Sequence, residues 1–356
     1  MTHLIVGTPA PVFEAESPIN PTFAFSSLGG RYVLLAFPPA DEAGKAAMYG
    51  AIQTHRELMD DDRIAAFVVL SDRSEFARKR DQRGLHWFMD EGGRIARLFG
   101  AEDALWVLID PSLRILAFGR MERTARIFTI LAGLPPPNLH AGVEISAPVL
   151  TVPRVLEADL CQRLIDYYAA DGGAPSGTMR QVNGRTVGVL TDFKRRRDAL
   201  ITDPDLQRDI RARIRHRLMP EIEKAFQFQV TRIERYIVAC YDAESGGYFR
   251  AHRDNTTSGT AHRKFAVSIN LNDDFEGGDL RFPEFGLRTY RPPKGGAVVF
   301  SCSLLHEATA VTGGVRYATL PFLYDEAGQA IRDANLHTLA TTPLPEPEAQ
   351  PQEATA

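Results

Sequence analysis

Ile237-Val-Ala-Cys-Tyr-Asp-Ala-Glu-Ser-Gly-Gly-Tyr-Phe-Arg-Ala-His-Arg-Asp254 is a strand, a turn and a second strand in one continuous run. The first strand begins upstream in Arg232-Ile-Glu-Arg-Tyr236, where residues alternate and are β-branched, and Asp242-Ala-Glu-Ser-Gly-Gly247 breaks it. Side chains on a strand point alternately to its two faces, so His252 and Asp254, two apart, are expected on one face. Working outward, residues 265–272, 278–282, 287–291, 296–300 and 315–324 are further short apolar runs punctuated by Gly, Pro, Asn or Asp. The clearest turns are Glu276-Gly-Gly-Asp279 and Pro292-Pro-Lys-Gly-Gly296. Evenly spaced short strands of this kind predict a double-stranded β-helix, or jelly roll, with chemistry at strand ends lining its mouth.

The chemistry starts from His252-Arg-Asp254, with His306 far downstream and Arg316 ten residues beyond that. Two imidazoles and one carboxylate can occupy one face of an octahedral Fe(II), leaving three positions open for a bidentate keto acid and O2. An arginine just past the second histidine supplies a permanent, planar cation that pairs bidentately with a carboxylate. An H-x-D triplet by itself is often a surface turn. The surrounding strands are what favour a metal site.

From about Ala147 to Asp325 the chain resembles the 2-oxoglutarate and Fe(II)-dependent dioxygenases of the prolyl 4-hydroxylase type. The quoted run is similar to the corresponding segment of the oxygen-sensing prolyl hydroxylases. The Leu271-Asn272 pair, Glu276-Gly-Gly-Asp-Leu-Arg-Phe-Pro-Glu284 and Gly314-Val-Arg-Tyr-Ala318 continue the likeness in order. The resemblance implies that His252, Asp254 and His306 ligate Fe(II), and that Arg316 pairs with the distal carboxylate of 2-oxoglutarate. It puts Tyr241 beside cosubstrate and metal. Where enzymes of this type have a tyrosine that bonds the same carboxylate, this chain has Asn270, which leaves that second contact open. It further implies O2 as co-reactant, ascorbate as reductant, release of succinate and CO2, and hydroxylation of a C–H bond on a prolyl or other peptidyl residue or a small molecule. No separate acid or base is needed. The competing reading is a non-enzymatic redox or interaction scaffold whose barrel only binds metal; the full triad with Arg316 favours the enzyme.

Neighbouring residues are read more plainly. His262 and Arg263 fall in a loop and are expected to face solvent. Arg281 could face the lumen or solvent. Tyr248, four before His252, shares its face by alternation and could line the pocket or pack in the core. Helices are predicted over 155–168, through Leu156, Leu160, Leu164 and Tyr168, and over 205–218, through Leu206, Ile210, Ile214 and Leu218. Both are expected to support the barrel's outer face. Basic runs occur at Lys194-Arg-Arg-Arg197 and across Arg211, Arg213, Arg215 and Arg217. With 41 Lys and Arg against 45 Asp and Glu, a net charge of −4 and no aromatic interleaving, they argue for a solvated face or an acidic-substrate patch rather than nucleic-acid binding.

The 356 residues are enough for two domains, and Leu134-Pro-Pro-Pro137 is a stiff break between them. Before it, 31–37, 64–70, 105–110 and 113–118 are near-continuous apolar strands, with helical segments between the earlier ones, predicting an α/β sheet. Residues 1 to about 133 resemble a peroxiredoxin-like thioredoxin fold through Gly7-Thr-Pro-Ala-Pro-Val-Phe13, Arg94-Ile-Ala-Arg-Leu-Phe-Gly100 and Val107-Leu-Ile-Asp110. Peroxiredoxins carry their peroxidatic cysteine after a Pro-containing loop; Pro38-Pro-Ala-Asp-Glu-Ala-Gly-Lys-Ala-Ala47 has none. The three cysteines, Cys161, Cys240 and Cys302, all lie later, in apolar contexts. Without a thiolate there is no thiol peroxidase or disulfide chemistry by the usual route. The expected organisation is 1–134 as a non-catalytic module for binding or homo-oligomerisation, 135–146 as linker, 147–330 as the dioxygenase domain and 340–356 as a disordered Pro/Glu-rich tail. No stretch has the length of a membrane span and the N-terminus lacks the features of a signal peptide, so a cytoplasmic location is expected.

Overall fold

The computed structural model describes residues 4–339, and the expected tail lies outside them. The described residues form two compact units: 4–147 with Phe282–Arg288, and Pro148–Arg281 with the described residues from Thr289 on.

The first unit is built on one seven-stranded sheet. Its strands are β1 (Glu14–Ser17), β2 (Asn20–Ala24), β3 (Tyr32–Phe37), β4 (Ile64–Leu70), β5 (Leu85–Met89), β6 (Leu105–Ile109) and β7 (Ile115–Gly119), in the order β2-β1-β5-β4-β3-β6-β7. β3, β4 and β5 pair in parallel, whereas β6 and β7 run antiparallel. Every residue of β3, β4 and β6 is buried, which explains why these strands read as unbroken apolar runs rather than alternating ones. Two cores form, one on each face: Leu34, Ala36, Val68 and Trp106 on one side, Val33, Leu35, Phe67 and Val107 on the other. The helix Glu42–Thr54 follows β3 and is capped by Asp41, whose carboxylate accepts from the Gly44 amide at 2.8 Å.

The second unit holds two large antiparallel sheets and two two-stranded ones, Thr178–Val182 with Arg185–Val189 and Glu276–Gly277 with Val311–Gly313. The larger runs in the order Arg232–Glu234, Phe322–Tyr324, Phe265–Asn270, Val315–Thr319, Ile237–Asp242, Arg197–Leu200, Ala174–Pro175; Ala297–Ser301 also pairs with Phe265–Asn270 and extends to Leu150–Val152. The smaller runs Lys194–Arg195, Tyr248–His252, His306–Ala308, Leu280–Arg281, Thr289–Tyr290. A cavity of about 50 Å³ is lined from both sheets, by Tyr241, Ser268 and Arg316 of the larger and by Phe249, His252, Leu280 and His306 of the smaller. The strand readings 232–241 and 315–324 each divide in two, at Arg235-Tyr236 and Leu320-Pro321. Arg235 has positive φ (68°), and Pro321 has no amide for the ladder.

Alternation along Ile237–Asp242 separates the two faces of the larger sheet. Val238 and Cys240 join a core with the helices; Ile237, Ala239 and Tyr241 face the other way. That core takes Leu160, Leu164 and Tyr168 from the helix Ala158–Asp171 and Leu206 and Ile210 from Pro204–Arg213. A π-helical turn, Ile214–Leu218, continues into Met219–Phe226 and keeps Ile214, Leu218 and Ile222 on the same buried stripe. Each such side chain contributes roughly 1.5–3 kcal/mol when fully buried. Leu156 precedes its helix yet is buried in the same core. The three cysteines are free and buried; burial raises the Cys161 thiol to about 11 and drives Cys302 well above its usual range, so all three serve as core residues.

Candidate metal centre

His252 ends one strand and His306 begins its neighbour, and the two are directly paired across the antiparallel ladder. Asp254 lies just beyond, where its amide donates to the Cys302 carbonyl at 3.0 Å and fixes the turn. One ligand atom from each of these three residues lies within 4.8 Å of the other two. The Asp254 carboxylate stands between the rings, Oδ1 at 3.5 Å from His252 Nε2 and Oδ2 at 3.3 Å from His306 Nε2.

The donor chemistry fits a divalent metal. His252 Nδ1 lies 2.7 Å from the Arg250 carbonyl and His306 Nδ1 lies 3.0 Å from that of Leu304. A carbonyl accepts only, so each neutral ring carries its proton on Nδ1 and its lone pair on Nε2, the tautomer a metal needs. Burial and the nearby His306 hold His252 down at about 4, so it is neutral at physiological pH. Burial alone would raise the Asp254 carboxyl; when the facing imidazoles carry a second proton in place of a metal, they outweigh burial and hold it well below its usual range. Phe249 stacks on the His252 ring with centroids 3.5 Å apart, which fixes the ring plane and limits water.

Arg316 faces the same cavity from the larger sheet, paired in register with Tyr241. Its side chain is buried, and its Nε donates to Asn270 Oδ1 at 3.0 Å and its Nη2 to Ser268 Oγ at 2.7 Å. Neither partner neutralises the cation, which is the state expected of a group that takes an anionic ligand. Asn270 in turn donates to the Pro292 carbonyl at 2.9 Å, so both ends of its amide are held by protein and it positions Arg316. Gly278, at φ +68°, leaves room for that side chain: a Cβ there would stand 3.1 Å from Arg316 Cδ and 2.7 Å from Val311 Cγ2. The Tyr241 hydroxyl accepts from Arg196 Nη1 at 3.2 Å.

Sequence reasoning missed Ser268, Arg196 and Arg235 in the cavity wall. Ser268 was findable, since it sits two before Asn270 and shares its face. Arg196, a member of a basic run, carried no such signal; it is buried against Asp198 at 2.6 Å. Tyr248 is not on the face of His252, because the register shifts between Phe249 and His252. Its hydroxyl donates instead to the Asp192 carbonyl, and Phe249 takes the place beside the imidazole. Arg281 pairs with Glu307 on the adjoining strand.

The expectation for His262 and Arg263 is overturned. His262 is buried and meets Glu234 Oε2; Arg263 donates to Glu234 Oε1 at 2.6 Å and lies 3.9 Å over the Phe322 ring. A carboxylate from a distant strand draws the pair inward, which no local pattern reveals. Burial alone would raise Glu234, but His262 and Arg263 prevail and hold it at about 2 against an ordinary 4.5. The folded state thus binds fewer protons than the unfolded one between these values. The stability this contributes, about 3 kcal/mol, is present above pH 4.5 and lost as pH falls towards 2. Urea unfolding from pH 7 to pH 3 is expected to show a steeper loss in the natural protein than in Glu234→Gln, which starts less stable; parallel curves would contradict the assignment.

Residues 236–324 match the family described as the 2OG-Fe(II) oxygenase superfamily. A PKHD-type hydroxylase of Synechococcus sp. (strain JA-2-3B'a(2-13)) is 25% identical over 117 residues, 30% of this chain and 51% of that protein. One from Pseudomonas fluorescens is 33% identical over 92 residues, 23% and 40% of the respective chains. The chain thus spans about half the length, or less, of these curated relatives. Among solved structures, a prolyl hydroxylase from Trichoplax adhaerens in complex with a peptide fragment of the hypoxia inducible factor oxygen degradation domain is 17% identical, with 60% of this chain and 97% of that one covered and a TM-score of 0.39. A Pseudomonas putida prolyl-4-hydroxylase is 18% identical, with 52% and 95% covered and a TM-score of 0.36. The C-terminal region carries a 2OG-Fe(II) oxygenase domain, whose superfamily comprises oxidoreductases working with Fe(II) and 2-oxoglutarate.

Proposed function

We propose that the protein is a 2-oxoglutarate- and Fe(II)-dependent dioxygenase that hydroxylates a C–H bond of a prolyl or other peptidyl residue. The observation that carries this reading is the convergence of His252, Asp254 and His306 opposite a buried, carboxylate-free Arg316 in one cavity. In this account the triad holds Fe(II) and Arg316 takes the distal carboxylate of 2-oxoglutarate. Asn270 and Ser268 set the angle of the guanidinium, and Tyr241 borders the cosubstrate. The metal with 2-oxoglutarate and O2 supplies the oxidising power, with succinate and CO2 as co-products. The chain's own work is to bind, to orient and, through Phe249 and the apolar cavity wall, to keep water away. Ascorbate is the reductant that keeps the iron ferrous. The peptidyl preference draws on the prolyl hydroxylases and PKHD-type hydroxylases to which the domain is similar.

The domain limits are proposed as 1–134, 135–146 and 147–330. For the first unit, parallel β3, β4 and β5 flanked by antiparallel β6 and β7 support a thioredoxin-like reading. The absence of cysteine there supports a non-catalytic module that binds a partner or a second copy. A cytoplasmic location is proposed on the cysteine usage; among the described residues no helix is long and apolar enough to cross a membrane.

The test is turnover without a known substrate. Purified protein with Fe(II), ascorbate and 2-oxoglutarate in air is expected to release succinate slowly, seen by NMR. Omitting iron or O2 should stop it. Succinate that forms equally without iron would sink the proposal.

A further inference from the structure

Of the two basic runs, that of Arg211, Arg213, Arg215 and Arg217 has carboxylate partners for two members: Arg213 pairs with Glu157 at 3.2 Å and Asp209 at 3.4 Å, and Arg217 with Glu157 at 2.5 Å. The other, Lys194-Arg-Arg-Arg197, behaves differently. Among the described ion pairs, Arg196 alone of the four meets a carboxylate, Asp198. The Lys194 amine is buried and donates to Ser176 Oγ at 2.6 Å and the Gly177 carbonyl at 2.9 Å. Arg197 is exposed and donates to the Gly172 and Gly173 carbonyls; Arg195, also exposed, reaches the Ser245 carbonyl at 3.5 Å. Carbonyl dipoles solvate Arg195 and Arg197 without cancelling their charge, whereas burial and the neighbouring Arg196 pull the Lys194 amine well below its usual range.

All four side chains line a groove of about 640 Å³, whose described lining includes one acid, Asp242. Its size falls in the range of ligand sites. The groove adjoins the metal centre: Arg196 lines both it and the metal cavity, and Lys194 Nζ lies 4.8 Å over the Phe249 ring that stacks on His252. A concentrated positive field in a chain of net charge −4 is local, suited to a short anionic ligand rather than a long polyanion. Tyr168 and Tyr317, the aromatic rings of the lining, pack edge-on against each other at 5.4 Å and present no stacking platform for bases.

We propose that this groove binds an acidic polypeptide segment, with Asp or Glu side chains flanking the residue presented to the metal. Guanidinium forks at Arg195 and Arg197 would take those carboxylates. The proposal rests on the dioxygenase reading and names its substrate class.

The full chain would be titrated, by fluorescence anisotropy, into labelled end-capped peptides of alternating Glu and Pro, the Gln counterparts, and a single-stranded oligonucleotide of matching charge. The Glu peptide is expected to bind, with affinity falling as salt rises, and the Gln peptide to bind at least tenfold more weakly, about the loss of two surface ion pairs. Arg195→Glu/Arg197→Glu should remove that preference and Arg195→Lys/Arg197→Lys should keep most of it. Both positions are exposed, and an unchanged circular dichroism spectrum verifies the fold. Equal binding of Glu and Gln peptides overturns the proposal. So does tighter binding of the oligonucleotide that the double reversal abolishes. Recording the anaerobic Fe(II)–2-oxoglutarate absorption on the same samples separates the two readings: a missing band with charge-selective binding fails the oxygenase and keeps the groove.

Discussion

Replacing Arg316 with alanine is expected to leave Fe(II) binding within a few-fold of normal while weakening 2-oxoglutarate by roughly 30- to 4,000-fold. The magnitude follows from removing one partner of a buried, bidentate charge pair, about 2–5 kcal/mol. The selectivity follows from position. Arg316 reaches the cavity from the strand Val315–Thr319 in the larger sheet, whereas His252 and His306 belong to the smaller one. Its cation is desolvated, and burial pulls it below the ordinary arginine value, so its removal relieves a desolvation cost in the ligand-free fold while leaving Asn270 and Ser268 without their donor. Arg316→Lys keeps a charge but loses the fork, and should recover only part of the affinity. Isothermal titration of 2-oxoglutarate into the Fe(II)-loaded, oxygen-free protein separates the two ligands. Equal loss of iron and 2-oxoglutarate would mean that Arg316 acts through the fold.

Asp254→Ala should have the larger effect on chemistry, with metal affinity lowered by more than about 100-fold and turnover below detection. The carboxylate is the one anionic donor of the triad and stands between the two rings, at 3.5 and 3.3 Å. Without it two neutral imidazoles face a dication alone, and loss of a direct ligand exceeds the 10- to 100-fold typical of losing an outer partner. Metal content after dialysis, measured alongside succinate formation, checks this. A variant that keeps one iron per chain and half its turnover would remove Asp254 from the site.

Much of this site was legible because its parts are local. His252 ends its strand and Asp254 lies two residues on, close enough for a local reading to bring them together, and the even spacing of short strands predicts the sandwich that brings His306 alongside. What stayed hidden depends on long-range partners. The Glu234 carboxylate that buries His262 and Arg263 comes from a separate strand, and the bulge that exchanges Phe249 for Tyr248 beside His252 is a one-residue register shift. Asn270 illustrates the same limit. The sequence marks a departure from the tyrosine of related enzymes, while only the fold reveals that its amide is spent on Arg316 and Pro292. In the first unit β5, Leu85–Met89, went unread: it is only five residues long, and the half-buried His86 interrupts its apolar run.

The most direct test of the central claim is the visible spectrum of the protein titrated with Fe(II) and then 2-oxoglutarate without oxygen. A weak metal-to-keto-acid charge-transfer band is predicted, diminished in Arg316→Ala and absent in His252→Ala. If iron binds but no band follows addition of 2-oxoglutarate to the natural protein, the keto acid does not chelate the metal and the chain is a metal-binding scaffold instead.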